Sequence, residues 1–232
     1  MSASKKNSRS SAPASAAFLR ERDEAQPSPG DARMILYTRP DDPAGHAMRL
    51  ILAEKGVAAK LVEVSGRTLP DDLLNLNPYG SMPTLVTREV TLYDPRIIAE
   101  YLDDRYPHPP LMAPDPALRA RVRLFISEVG GDWYAQCRQI VSGTGREKTR
   151  ARHALGETLV ASDEVFAVAP FLLSESYGLA DCITAPVLWR LPSLGIPLPR
   201  EARALRAYMQ RVFKRPNFVL SLTGVERAMA AV

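Results

Sequence analysis

A proline-rich segment at residues 107–116 divides this chain into two parts with different patterns. Five of its ten residues are proline, and because proline lacks a backbone N–H and has a fixed φ, such a run continues neither a helix nor a central strand. Short apolar runs and short amphipathic stretches alternate before it, whereas the pattern after it is helical throughout. We therefore predict an α/β domain at 32–107, a linker at 108–116 and an all-helical domain at 117–232.

The first part contains the start and stop signals of a small mixed sheet. Residues 39–45 are rich in Pro, Asp and Gly and predict a loop. Gly56 is a left-handed helix stop, and Asp94 followed by Pro95 is a good helix start. The predicted elements are strands at 34–37 and 60–64, helices at 46–55 and 71–76, a hairpin at 84–87 and 90–93, and a helix from 95 to 106. This order is typical of a thioredoxin-like domain, so the predicted fold class is α/β followed by all-α.

The remaining segments are simpler. Helices are predicted at 116–141, 147–168, 179–194, 201–214 and 217–229. Pro186 should kink the third of these or be braced by its neighbours.

Eleven of the first 17 residues are Ser or Ala. Such a composition cannot bury enough apolar surface to offset its ordering entropy, so residues 1–31 are predicted to be a disordered tail.

Composition argues against several classes of protein. The 30 basic and 26 acidic residues give a net charge of +4, but they are spread along the chain, whereas a nucleic-acid binder concentrates its basic residues. Direct DNA binding through Lys5, Lys6 and Arg9 of the tail is the remaining alternative.

Cys137 and Cys182 are far apart in sequence, which favours free thiols in a reducing compartment. No metal-ligand spacing is present, and no apolar run approaches the roughly 20 residues that span a membrane.

Several motifs carry a resemblance to a known family. Ser-Met-Pro-Thr-Leu-Val at 81–86 resembles the cis-proline loop of the glutathione transferases, which predicts a cis bond before Pro83. Leu-Ala-Glu-Lys-Gly-Val at 52–57 and the stretch 96–112, which contains Tyr-Pro-His-Pro-Pro-Leu-Met, are similar to one subgroup, the stringent starvation protein A family. The resemblance covers about residues 33–230, which is nearly the whole chain apart from the tail.

The resemblance implies a function. Members of this family are cytoplasmic homodimers that bind the sigma-containing RNA polymerase holoenzyme under starvation or stress, contact DNA only through the polymerase, and need no cofactor. The family's partner-binding motif maps onto four residues, which we call the 107–110 loop: Pro107, His108, Pro109 and Pro110. Because proline presets the backbone, such a loop loses little entropy when a partner docks. By analogy, 119–123 and 132–134 are candidates for the dimer interface and its surroundings.

The same resemblance argues against catalysis. Glutathione transferases place a Tyr at the end of the first strand, or a Ser or Cys at the start of the first helix, beside the glutathione sulfur. The Ser/Cys positions fall near Asp42, Pro43 and Ala44, where there is no hydroxyl or thiol, and a carboxylate would repel a thiolate. Tyr37 stands close to the tyrosine position. A weak glutathione S-transferase that uses Tyr37 is therefore the alternative function.

The residues that would hold glutathione are also altered. In the family, the backbone before the cis-proline, here Met82 and Pro83, pairs with the cysteinyl part of glutathione. In the family a Glu/Gln-Ser pair binds the glutamyl end of glutathione, and in this chain the pair is Asp94-Pro95. The Asp94 side chain is one methylene shorter than Glu or Gln. Pro95 lacks both the serine hydroxyl and the backbone N–H. Losing two such contacts weakens binding about a hundredfold. We therefore expect a vestigial glutathione site at Met82, Pro83 and Asp94, with Asp181 in a purely structural role.

Overall fold

The computed structural model describes residues 34–66 and 69–229, so the predictions for the tail lie outside the described residues. A four-stranded mixed sheet has the order β2-β1-β3-β4. β1 pairs parallel with β2 and antiparallel with β3, and β3 pairs antiparallel with β4. The strands are β1 (Ile35–Thr38), β2 (Lys60–Glu63), β3 (Thr84–Val86) and β4 (Thr91–Leu92). This is the predicted thioredoxin-like arrangement.

Three helices belong to the same half of the chain: α1 (Pro43–Lys55), α2 (Asp71–Leu76) and α3 (Pro95–Arg105). The prediction of a loop at 39–45 was wrong at its end, because α1 begins at Pro43. Asp42 accepts a hydrogen bond from Gly45 N at 2.8 Å, and Pro43 occupies the first helical position. An Asp-Pro pair thus starts α1 as it starts α3. Gly56 ends α1 with a φ of 63°.

The remaining regular elements of the described chain are helices, apart from an isolated bridge between Phe171 and Ser174, which confirms the predicted fold class. The helices are α4 (Pro116–Glu128), α5 (Tyr134–Ser142), α6 (Gly145–Ala161), α7 (Asp163–Ala167), α8 (Leu179–Trp189), α9 (Arg203–Phe213), α10 (Pro216–Ser221) and α11 (Gly224–Ala228). Within residues 34–66 and 69–229, no helix is long and apolar enough to cross a membrane.

Three predicted helices are interrupted. A π-helical turn at Val129–Trp133 separates α4 from α5, and Ser162 separates α6 from α7. The helix predicted at 217–229 is broken before α11, where Thr223 and Glu226 form a capping box: Glu226 N donates to Thr223 Oγ1 at 3.1 Å, and Thr223 N donates to Glu226 Oε2 at 2.9 Å. A capping box starts a new helix, so the preceding one has to end.

A buried charged cluster joins the two halves of the molecule. Arg49 on α1 donates to both carboxylate oxygens of Glu226 at 2.7 Å, and Arg190 also donates to Glu226. His46 Nε2 lies 2.9 Å from Ser221 Oγ. Burial, and then the two arginines, hold the pKa of His46 well below its ordinary value, so the imidazole is neutral. The cluster attaches α11 to α1 across 177 residues of sequence.

Asp181 organises the start of α8. Its carboxylate accepts hydrogen bonds from Leu172 N at 3.0 Å, Gly178 N at 2.8 Å and the Tyr208 hydroxyl at 2.7 Å. The side chain is fully buried. Burial raises the pKa of Asp181 from 3.8 to about 6, although these three donors act in the opposite direction. Asp181 therefore has the structural role that the sequence predicts.

The raised pKa makes the stability of the protein pH-dependent. The folded state holds the Asp181 proton more tightly than the unfolded state, so this contribution is complete below about pH 4 and is lost as the pH rises to 6. Asp181→Asn cannot ionise. We expect wild type to exceed this variant in free energy of unfolding at pH 4, and the difference to shrink by about 2–3 kcal/mol at pH 7.

Urea denaturation at the two pH values measures this difference. Asp104→Asn, at an exposed position of α3, is the matched control and should show no such change. A difference between wild type and Asp181→Asn that stays constant or grows with pH would contradict the assignment.

Candidate functional site

The loop with the cis-proline motif lies beside the start of α3. The Met82–Pro83 peptide bond is cis, as predicted. The buried side chain of Asn77 donates to the Ser81 carbonyl oxygen at 2.7 Å. Ser81 Oγ in turn donates to the carbonyl oxygen of Tyr93 at 3.2 Å. This contact joins the loop to the residue before Asp94, so the three predicted residues of the vestigial glutathione site lie in neighbouring segments.

The Asp94 carboxylate is engaged by its own helix. Oδ1 accepts from Arg96 N at 2.8 Å, and Oδ2 accepts from the Arg96 guanidinium at 2.9 Å. The Arg96 side chain holds the pKa of Asp94 below its ordinary value. Pro95 follows, with neither an N–H nor a hydroxyl. Both oxygens are thus used in capping α3 and pairing with Arg96.

Residues 42–44 at the start of α1 carry no side-chain hydroxyl or thiol. Asp42 caps the helix, and Pro43 and Ala44 follow it, both of them buried. Burial raises the pKa of Asp42 above its ordinary value. The residues at this position therefore supply an acceptor and two apolar groups, where stabilising a thiolate would require a hydrogen-bond donor.

Tyr37 is half-buried on β1, and its side chain alternates with those of Leu36 and Thr38. Thr38 Oγ1 accepts a hydrogen bond from Arg49 on α1 at 3.1 Å, so Thr38 faces α1. Because successive side chains of a strand point to opposite faces, Tyr37 faces away from α1. It is the penultimate residue of β1, one residue before the end of the strand, and it lies on the side of the sheet opposite the cluster formed by Arg49.

The two cysteines are poor nucleophiles. Burial raises the pKa of Cys137 to about 12 and that of Cys182 well above its ordinary value. Both are buried as free thiols, and neither lies at the start of α1. Since the thiolate is the reactive form, neither residue suits disulfide exchange. Among the residues that the structure describes, no three His, Cys, Asp or Glu side chains come together as a metal site would need.

The 107–110 loop lies at the opposite end of α3 from Asp94. The eleven residues of α3 span roughly 16 Å, which separates the two predicted sites. All four residues of the loop are exposed, and its His108–Pro109 peptide bond is cis. Tyr106 N donates to Leu102 O at the end of α3, and Leu111 directly after the loop is buried. The loop is therefore a short exposed segment between two anchored ends.

Part of the predicted dimer surface is internal to the chain. Trp133 and Tyr134 are each 1% exposed, and the Tyr134 hydroxyl donates to the Ile183 carbonyl oxygen at 2.8 Å. The π-helical turn places Val129 and Trp133 together in the core. These side chains are therefore core residues, which corrects the prediction for 132–134, and only Asp132 of that segment is exposed.

Sequence reasoning missed the cluster around Glu226 and a buried pair between Lys55 and Asp103. Arg49 and Glu226 of the cluster lie 177 residues apart in sequence, and Lys55 and Asp103 lie 48 residues apart. A local signal existed only for Glu226, since Thr-x-x-Glu at 223–226 is the pattern of a capping box.

Comparisons with known proteins agree with this description. Two family models match: the N-terminal domain of glutathione S-transferase over residues 36–110 and its C-terminal domain over 119–216. The structure of a glutathione S-transferase from Xylella fastidiosa superposes with a TM-score of 0.75 at 21% identity, over 85% of this chain and 99% of that one. At that identity the likeness shows the fold alone. The chain is thus a two-domain protein of the glutathione S-transferase family.

Proteins similar in sequence place the chain in a subgroup of this family. A stringent starvation protein A homolog from Haemophilus influenzae is 44% identical over 82% of this chain and 90% of its own length. A maleylacetoacetate isomerase from Pseudomonas aeruginosa is 30% identical over 75% of this chain and 88% of its own length. The chain belongs to the stringent starvation protein A family.

The geometry of Asp94 and of the start of α1 leads to a prediction about glutathione binding. With Asp94 engaged by α3 and no donor at the start of α1, we expect 10 mM glutathione to leave the melting temperature unchanged. A ligand present at a hundred times its Kd would stabilise the fold by about 2.7 kcal/mol. Differential scanning fluorimetry, with a glutathione transferase run alongside, checks this.

Conjugation of glutathione to a generic electrophile is the second measurement. We expect wild type and Tyr37→Phe to give the same background rate. A saturable thermal shift, together with conjugation that Tyr37→Phe abolishes, would support the weak transferase instead.

Proposed function

We propose that this chain is a transcription regulator without transferase activity. It binds the sigma-containing RNA polymerase holoenzyme in the cytoplasm under starvation or stress, and it contacts DNA only through the polymerase. The observation that carries the proposal is the 107–110 loop, whose four side chains are exposed while both of its ends are anchored. Membership of the stringent starvation protein A family supports it, since the family's partner-binding motif maps onto this loop.

The chemistry of the loop suits a protein partner. Three of its four residues are proline, and proline gives up little conformational freedom on binding. The proline rings present apolar surface. His108 adds an imidazole that both donates and accepts hydrogen bonds. The loop thus offers a small stiff surface that combines apolar and polar groups, as protein–protein interfaces do.

The lack of catalysis is the second part of the proposal. Three features support it: Asp42 stands at the start of α1, the Asp94 carboxylate is used within its own helix, and both cysteines are buried. Each of them removes a group that glutathione chemistry needs. None of them disturbs the local structure, because Asp42 and Asp94 are good helix caps.

A homodimer is the third part. Arg123 on α4 pairs with Glu100 on α3 at 2.8 Å. On the same two helices, Ile97 and Leu124 are 57% and 73% exposed. Apolar side chains this exposed, on two helices joined by an ion pair, favour contact with a second copy of the chain.

We predict that Leu124→Glu weakens the dimer at least tenfold, because it places a carboxylate in a contact that an isologous dimer uses twice. Sedimentation equilibrium measures the change. Val168→Glu alters a similarly exposed apolar residue after α7 and serves as the control. Equal effects of both variants, or a monomeric wild type, would rule out this interface.

The central prediction concerns the polymerase. Wild type should co-migrate with sigma-saturated RNA polymerase on gel filtration. Pro107→Ala/His108→Ala/Pro109→Ala should lose this co-migration and stay folded, as a melting curve checks, because the side chains it changes are all exposed. If the folded triple variant still co-migrates, the loop is not the contact. If wild type does not bind, the proposed function is wrong.

Deleting residues 1–30 tests the alternative of direct DNA binding. The truncated chain should bind the polymerase as wild type does and should not differ from it in a DNA mobility-shift assay. A loss of DNA affinity on truncation would favour the tail.

A further inference from the structure

A buried ion pair lies directly behind the 107–110 loop. Lys55 is the last residue of α1, and its side chain is 0% exposed. Its ammonium donates to Asp103 Oδ1 at 2.5 Å and to the Pro109 carbonyl oxygen at 2.5 Å. A buried ammonium is strongly unfavourable unless it is paired, so the position of Lys55 requires both acceptors. One of those acceptors is the backbone of the loop itself.

Asp103 holds the residues that follow the loop. Its Oδ1 accepts from Leu111 N at 2.8 Å, and its Oδ2 accepts from Met112 N at 3.0 Å. The carboxylate of this α3 residue thus has three donors, which are the Lys55 ammonium and two backbone N–H groups. Through these contacts the ion pair fixes one carbonyl inside the loop and the first two N–H groups after it.

The loop has little means of fixing its own backbone. His108 supplies its only backbone N–H, since the other three residues are proline. The segment after the loop is also held, because Leu179 N donates to Leu111 O at 2.7 Å. A side chain at Gly178 would place a Cβ only 2.8 Å from that same oxygen. Fixed contacts therefore surround the loop at its base, while its side chains remain exposed.

We infer that the Lys55–Asp103 pair is the positioning element of the 107–110 loop, holding it in the conformation that the polymerase recognises. The inference rests on the proposed function and adds to it two residues outside the exposed motif. Neither residue needs to touch the polymerase. Without the pair, the backbone around Pro109 and Leu111 would have to be ordered upon binding, and that ordering lowers affinity.

A pair that merely stabilised the contact between α1 and α3 would behave differently. Its loss would lower the melting temperature without a specific effect on the loop or on polymerase binding.

The matched control for the loss of Lys55 is Arg215→Met. Arg215 pairs with Glu54, the neighbour of Lys55 on α1, at 2.9 Å. Its side-chain hydrogen bonds within the described residues all go to Glu54, and its guanidinium stacks on Tyr177. Both substitutions leave one carboxylate beside α1 without its cation.

The experiment compares Lys55→Met with Arg215→Met in the full-length chain. The first measurement is hydrogen exchange of the Leu111 and Met112 amides by NMR, and the second is the Kd for sigma-saturated RNA polymerase. For Lys55→Met we expect amide exchange at least tenfold faster and polymerase binding about ten- to hundredfold weaker. Arg215→Met should leave both quantities near wild type at a comparable melting temperature.

Lys55→Met leaves Asp103 charged and buried, so this variant can fail to fold. Lys55→Met/Asp103→Asn removes both charges, and replacing both members of a buried pair is often nearly neutral for stability. It should show the same faster exchange and weaker binding as Lys55→Met. Normal exchange and normal affinity in the double variant would overturn the inference.

The Pro107→Ala/His108→Ala/Pro109→Ala variant separates this inference from the proposed function. If the triple variant loses binding and the Lys55 variants bind like wild type, the positioning role is wrong and the proposed function stands. If the triple variant binds like wild type, the loop is not the contact and both proposals are wrong. Faster exchange with unchanged affinity would show that the pair orders the loop without serving the polymerase, which also overturns the inference.

Discussion

The burial of α1 is the constraint on which the rest of the structure depends. All of its residues except Ala53 are buried, although the helix carries three charged side chains. Because a buried charge without a partner is strongly unfavourable, each of these side chains needs an opposite charge from elsewhere in the chain. Each has one: Arg49 pairs with Glu226, Glu54 with Arg215 and Lys55 with Asp103. The partners come from α11, from the segment before α10 and from α3, so α1 connects the thioredoxin-like half to the end of the chain.

The predicted glutathione site is separate from these ion pairs. The residues that would contact glutathione, Met82, Asp94 and those at the start of α1, are not part of the three ion pairs. Asp42 and Asp94 still cap their helices, with hydrogen bonds of 2.8 Å to Gly45 N and Arg96 N. Both carboxylates therefore serve the starts of their own helices, independently of the ion pairs that accompany the burial of α1.

Local signals made much of the fold predictable. The Asp-Pro pair at 94–95 correctly predicted the start of α3. The same pair at 42–43 starts α1, but its signal is masked by the neighbouring Pro40 and Gly45, which favour a loop. The cis bond before Pro83 was predicted from its motif. The break before α11 was missed because the apolar periodicity of 217–229 continues across it, whereas the capping box that causes it depends on Thr223 and Glu226 alone. Periodicity identifies a buried face and does not show where the backbone changes direction.

The candidate site was predictable only in its exposed part. Three prolines and a histidine are visible in the sequence as a stiff surface segment, but a lysine that ends a helix is ordinarily solvent-exposed and complements the helix dipole. Nothing near Lys55 in sequence distinguishes it from such a residue, because its partners Asp103 and Pro109 lie 48 and 54 residues away. A recognition loop needs exposed side chains on a fixed backbone. The side chains belong to the motif, whereas the groups that fix the backbone come from the fold, and those groups become visible only when α1, α3 and the linker are seen together.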